Sequence, residues 1–215
     1  MKRTVILLWS ALLILNGCAG ATFPPEVNQY MLEYASPAFG DMKPVDASIR
    51  LEPFSIVRAY STTSMVYRTK PFRYGDDAYN RWRVKPSDML SDLLLRDMRN
   101  AGLFRGVFSY NDADNGCYNL GGVIEEIYER ESKDCNQAVL GVNVTLVGSS
   151  QEAPGQILFQ KGYRSVQDME RRDAESLARA MSRAMEAVSR EIILDAYNAA
   201  KKNKPGSKKE CLTSQ

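Results

Sequence analysis

The first eighteen residues decide in which compartment the rest of this chain must fold. Met1-Lys2-Arg3 supplies a basic start, an apolar run follows from Val5 to Leu15, and Leu15-Asn16-Gly17-Cys18 closes the segment. A run of about eleven residues is too short to cross a hydrocarbon core of ~30 Å as a helix, so it reads as the n-region and h-region of a secretory signal. Residues 1–17 are therefore expected to be removed and to take no part in the fold. What remains folds in an oxidising compartment, where disulfides form and persist.

The end of the segment resembles a bacterial lipobox, in which a small residue precedes a cysteine whose sulfur receives diacylglycerol before cleavage on its amino side. Leu15, Gly17 and Cys18 match, while Asn16 departs, since Ala, Ser or Thr is more usual there. An ordinary cleaved signal with an incidental cysteine is the competing reading. Each buried methylene contributes ~0.8 kcal/mol, so a diacylglycerol thioether with an amide-linked chain such as palmitate meets the two-signal requirement for stable anchoring. Lipid attachment at Cys18 is the expectation. Ala19 stands where an Asp tends to retain such lipoproteins at the inner membrane, which favours the periplasmic face of the outer membrane.

Removing the signal deletes Lys2 and Arg3, so the balance of 28 basic and 26 acidic residues becomes 26 against 26. No basic excess remains to suggest nucleic-acid binding. Histidine is absent, which removes the commonest general base and the commonest zinc ligand together. Neither a metal site nor a cofactor-binding motif is expected, and no catalytic residue is assigned. With Cys18 acylated, Cys117, Cys135 and Cys211 allow at most one internal bridge. A hairpin of residues 117–131 and 136–147 turning at Ser132-Lys133-Asp134 puts Cys117 at its open end and Cys135 at its turn. At ~3.3 Å per residue they stand tens of ångströms apart, which disfavours that pair against a bridging limit of ~7 Å.

The mature chain reads as one domain. Residues 18–28 form a lipidated tether containing Pro24-Pro25, residues 29–200 the folded body, and residues 201–215 a disordered basic tail. Short strands are expected at 29–34, 49–52, 65–68, 72–74 and 107–110, then the hairpin, then a strand at 157–166. The spacing of Met89, Leu90, Leu93, Leu94 and Met98 predicts a helix capped by Ser87 and stopped by Gly102. Leu177, Met181, Ala184, Val188, Ile192, Ala196 and Ala199 predict a longer one from about Arg171 to Ala200. Burial of two striped helices is met most simply by an α+β two-layer sandwich, a mixed but mainly antiparallel sheet with both helices on one face.

The order of elements and several strings resemble the ABC-type transport auxiliary lipoprotein family. Tyr30-Met31-Leu32 matches its opening Tyr-x-Leu strand, and Met65-Val66-Tyr67-Arg68 its hydrophobic-Val-Tyr-Arg segment. Asn80-Arg81-Trp82 followed by Pro86 is similar to its Arg-Trp link into the first helix, and Tyr118-x-Leu120 and the alanine-rich last helix follow in order. The resemblance covers about 29–197. It implies a non-catalytic lipoprotein of the outer membrane that accompanies an ATP-binding subunit, a permease and an MCE-domain protein handling phospholipid between two membranes, with self-assembly a further possibility. The alternative is a lipoprotein that assists assembly of a secretion or outer-membrane complex.

Tyr79, Arg81 and Trp82, read as lying in the loop before the first helix, are the candidate partner-binding residues. Against this, Trp82 can cover the edge of the core and Arg81 can pair locally. Phe72 and Tyr74 either extend an exposed aromatic patch or face the core. Glu125, Glu129 and Glu131 are expected on one strand face and Glu126 on the other, chiefly as a solvated acidic surface. Gly121-Gly122 marks a bulge or a close backbone approach. Arg171-Arg172 opposes the dipole of the second helix and can face a partner or lipid headgroups.

Overall fold

The computed structural model describes residues 26–113, 116–149 and 155–203. The signal segment, Cys18, residues 19–25 of the tether and residues 204–215 of the tail lie outside the described residues. The strands are β1 (Asn28–Tyr30), β2 (Val45–Leu51), β3 (Ser55–Ile56), β4 (Ser64–Lys70), β5 (Arg73–Trp82), β6 (Phe104–Ser109), β7 (Tyr118–Arg130), β8 (Gln137–Gly148) and β9 (Ile157–Asp168). Two helices, α1 (Pro86–Ala101) and α2 (Ala174–Lys202), complete the body.

Strand β7 is the spine. Its alternation with β8 buries Leu140, Val142, Val144 and Leu146 almost completely, and β9 pairs antiparallel along the far side of β8. The other edge of β7 is shared by three strands in succession. Leu51 of β2 lies opposite Leu120, Ile56 of β3 opposite Ile124, and Tyr67 of β4 opposite Glu129. Beyond these, β6 extends β2, while β5 and then β1 extend β4. Three segments following one thirteen-residue strand require the sheet to curl, and it forms a half-barrel.

The α+β class and the two helices stand, but the expectation of a mainly antiparallel sheet is corrected. β1–β5, β2–β6, β2–β7, β3–β7 and β4–β7 are parallel, against three antiparallel pairings. Hairpins leave a local trace in sequence, whereas a parallel pair joins distant segments and leaves none.

Both helices pack on the sheet through their apolar stripes. Leu90, Leu94 and Met98 of α1 and Met181, Ala184 and Ile192 of α2 are inaccessible to solvent. The starts differ from expectation. Pro86 occupies the first turn of α1 with Lys85 as its N-cap, so Ser87 is inside the helix. Asp173 caps α2 by accepting from the Ser176 N–H at 2.7 Å, which leaves Arg171 and Arg172 outside the helix. Lys201 and Lys202, read as tail, are the last residues of α2.

Between the helices sits a carboxylate with no exposed surface, that of Asp97. Tyr34 and Ser189 hydroxyls donate to Oδ2, each at 2.7 Å, while Ser36 donates to Oδ1 at 2.8 Å and the Arg96 guanidinium to the same oxygen. These bonds tie α1, α2 and the segment after β1 into one unit. Burial, then the bond to Asp97, pushes the Tyr34 hydroxyl far above its ordinary pKa.

Cys117 is in a disulfide and Cys135 is free, so the two are not joined to each other. Cys117 stands at the open end of the β7–β8 hairpin and Cys135 in its turn, the separation that disfavoured the pair. No helix among the described residues is long and apolar enough to cross a membrane.

Candidate functional site

Strand β5 bulges before it ends. Val66 of β4 pairs with Asp76 and Ser64 with Arg81, so residues 77–80 stand against Met65 alone and arch out of the β4–β5 ladder. Asp77 holds the arch, its Oδ1 accepting from the N–H groups of Tyr79 and Asn80 at 2.8 Å and its Oδ2 from the Asn80 amide at 2.9 Å. Burial alone raises the Asp77 pKa, but the Asn80 amide and the two backbone N–H groups outweigh it and hold the carboxyl below its ordinary value.

Tyr79, Arg81 and Trp82 thus lie on the end of β5 and not in a loop, because β1 pairs there, Asn28 with Asn80 and Tyr30 with Trp82. Tyr79 is 50 % exposed and Arg81 is also exposed, while Trp82 is 4 % exposed and donates its backbone N–H to Thr63 O. Two of the three face outward together, and the third closes the core behind them.

Beside the arch is an open cleft of about 720 Å³, lined by Tyr67, Lys70, Asp77, Asn80, Glu129 and Arg172 among others. Here the structure corrects the acidic cluster. Ile124 pairs with Val142 and Glu126 with Gly141, so Glu125 is an extra, bulged residue and the strand's parity changes there. Glu129 therefore follows Ile124 and Ile127 onto the helix side, and Glu125 is exposed apart from it. Glu126 points to the opposite face and meets Arg164 at 2.6 Å. Gly122 answers to close approach, since a Cβ there would stand 2.9 Å from the Phe54 ring.

Burial raises the Glu129 pKa, helped by the charges of Glu131 and Asp77 and opposed by the Asn136 amide and Arg172. The folded state then holds a proton that the unfolded chain has released, so stability falls as pH rises from the ordinary value of 4.5 through the raised one. Glu129→Gln cannot ionise and keeps an acceptor for Asn136. Urea midpoints at about pH 4 and about pH 7 are expected to show the variant gaining on wild type at the higher pH. An unchanged difference between the two would show that Glu129 is not held this way.

Arg172, expected to oppose the helix dipole, instead donates to Ser132 O and Lys133 O and braces the β7–β8 turn, while Arg171 pairs with Asp173 at 2.9 Å. On the opposite face Tyr60 stacks on Tyr128 at 6.0 Å, and Tyr74 meets both edge-on. Tyr74 belongs to that cluster, whereas Phe72 forms the β4–β5 turn and not a strand. Among the described residues no group of three or more His, Cys, Asp or Glu is placed to hold a metal ion. The arrangement offers exposed polar side chains beside one half-exposed tyrosine ring. Its Glu126 and Glu129 carboxylates are engaged with Arg164 and Asn136 and do not face each other as an acid–base pair.

Residues 30–193 match the family described as ABC-type transport auxiliary lipoprotein component. No curated protein matches the sequence. Among solved structures, the fold is similar to protein XCC0632 from Xanthomonas campestris, with a TM-score of 0.73, 15 % identity, and coverage of 81 % of this chain and 98 % of that one. It is also similar to the hypothetical protein CT253 from Chlamydia trachomatis, with a TM-score of 0.54, 10 % identity, and coverage of 74 % and 100 %. At such identities the likeness is one of fold.

Proposed function

This chain belongs to the ABC-type transport auxiliary lipoprotein family, and from that membership we propose that it is the outer-membrane-anchored, non-catalytic auxiliary component of an intermembrane phospholipid transport system. Acylated Cys18 holds it on the periplasmic face, and its folded body docks an MCE-domain protein that works with the ABC transporter subunits. The family match across residues 30–193 carries this reading, and the lipobox-like Leu15-Asn16-Gly17-Cys18 just upstream supports it. The outward pair Tyr79 and Arg81 is the docking surface, of a composition common at interface hot spots. Trp82 supports it from the core side.

The test is site-specific photo-crosslinking in membranes, with the reactive group at position 79, 81 or 110. Adducts with an MCE-domain protein are expected from 79 and 81 and not from 110, which is exposed in the turn after β6. Tyr79→Ala with Arg81→Ala is expected to lower recovery of that partner about thirty-fold, the equivalent of a ~2 kcal/mol hot spot. Adducts with an outer-membrane channel would replace this reading by the assembly role. No adduct from either position would remove the surface.

A further inference from the structure

The turn between β4 and β5 has a form that packing does not explain. Lys70 pairs with Arg73, leaving Pro71 and Phe72 as the two turn residues. Phe72 is 100 % exposed, and its φ of 65° lies in the left-handed region where glycine or asparagine is usual. A bulky apolar side chain held wholly in solvent on strained backbone points to a role outside the fold. Within the hairpin the charges have one sign, since between Ser64 and Gly75 stand Arg68, Lys70 and Arg73 and no acidic residue, while Arg130 and the exposed Glu131 of the neighbouring strand end stand beside Lys70. Arg68 lies over the Tyr74 ring at 5.6 Å, while Lys70 and Arg73 are exposed on either side of the turn.

The chain enters the sheet from the same side. Because β1 runs parallel to β5 with Asn28 opposite Asn80, the chain entering β1 comes from the direction of the turn. From the row of Ser64 and Arg81 to Pro71 is seven residues, about 23 Å of strand at ~3.3 Å per residue. The ten residues from Cys18 to Asn28 reach at most about 35 Å. An acyl group on Cys18 therefore leaves the turn free to meet the leaflet that holds it.

We propose that the β4–β5 turn is a second membrane contact, with Phe72 inserted at the boundary of headgroups and acyl chains and Lys70 and Arg73 against the phosphates of anionic lipid. This inference rests on the acylation of Cys18 proposed above. Two-point attachment fixes the tilt of the body over the bilayer, and hence the direction in which Tyr79 and Arg81 are presented.

The mature chain has one tryptophan, Trp82, which is buried, so Phe72→Trp adds a reporter on a quiet background. The full lipidated protein is reconstituted in phosphatidylcholine–phosphatidylglycerol vesicles with or without brominated acyl chains, and flotation is read alongside emission. Phe72→Trp is expected to lose about half of its added emission to the bromines, as a side chain at that depth would, and wild type none. Lys70→Glu with Arg73→Glu in the same background is expected to abolish the quenching.

Protein that floats but shows no quenching at position 72 overturns the second contact and leaves the anchor standing. Protein that does not float overturns both. Phe72→Gly separates contact from stability: relief of the left-handed φ predicts an equal or higher melting temperature. A fall of several degrees would mark Phe72 as a structural residue and remove the premise.

Discussion

Asp97→Ala is expected to destabilise the domain by about 3–5 kcal/mol, because it removes the one buried acceptor shared by three hydroxyl donors. The carboxylate has no exposed surface, and its partner Arg96 reaches solvent on its other side. Truncation leaves the half-buried Tyr34 and Ser36 hydroxyls and the buried Ser189 hydroxyl without this acceptor. Each buried polar group stranded in this way costs about 1–3 kcal/mol, so the loss is not confined to the charge pair. For a domain of this size the melting temperature falls by about 10 °C. Asp97→Asn keeps one acceptor and is expected to lose less. Thermal unfolding followed by circular dichroism reads both, and a shift under about 2 °C for Asp97→Ala would show that the three segments are not held through this carboxylate.

Cys18→Ala is expected to move the protein wholly from the membrane to the soluble fraction while leaving the fold intact. A chain of about fifteen methylenes contributes about 12 kcal/mol of transfer free energy, and the lipid proposed at Cys18 carries more than one such chain. No helix among the described residues is long and apolar enough to cross a membrane in its place. The Phe72 turn inserts a single side chain, which orients a protein already held and cannot retain one that is not. Circular dichroism of the released variant should match wild type, because β1, the first element of the sheet, begins ten residues after the substitution. Membrane attachment of Cys18→Ala that survives a salt wash would mean that something other than the lipid holds the body there.

The candidate surfaces show where sequence reading ends. Trp82 beside Arg81 allowed two readings, an exposed aromatic and guanidinium pair or an indole covering the edge of the core, and pairing with β1 turns the indole inward and leaves Tyr79 and Arg81 outside. Nothing in residues 73–82 alternates apolar with polar, so most of β5 gave no strand signal; β4 and β1 hold it in place. Glu125 bulges from the ladder, and one extra residue reverses the parity on which any face assignment depends. Asp97 did leave a trace, three residues after Leu94 and beside Met98 on the apolar stripe of α1. A charge on a buried stripe calls for partners, and those partners come from residues 34, 36 and 189, which no local pattern connects.

The sequence by itself determined the two helices and the long β7–β8 hairpin, because each is written in contiguous residues through hydrophobic period or turn chemistry. Only the tertiary structure decided that β2, β3 and β4 share one edge of β7, that the sheet is mostly parallel and curled, and that Phe72 stands wholly in solvent. The physical reason is one of range. Helical and hairpin hydrogen bonds close over a few residues, whereas parallel pairing, buried charge and side-chain exposure depend on which distant segments meet.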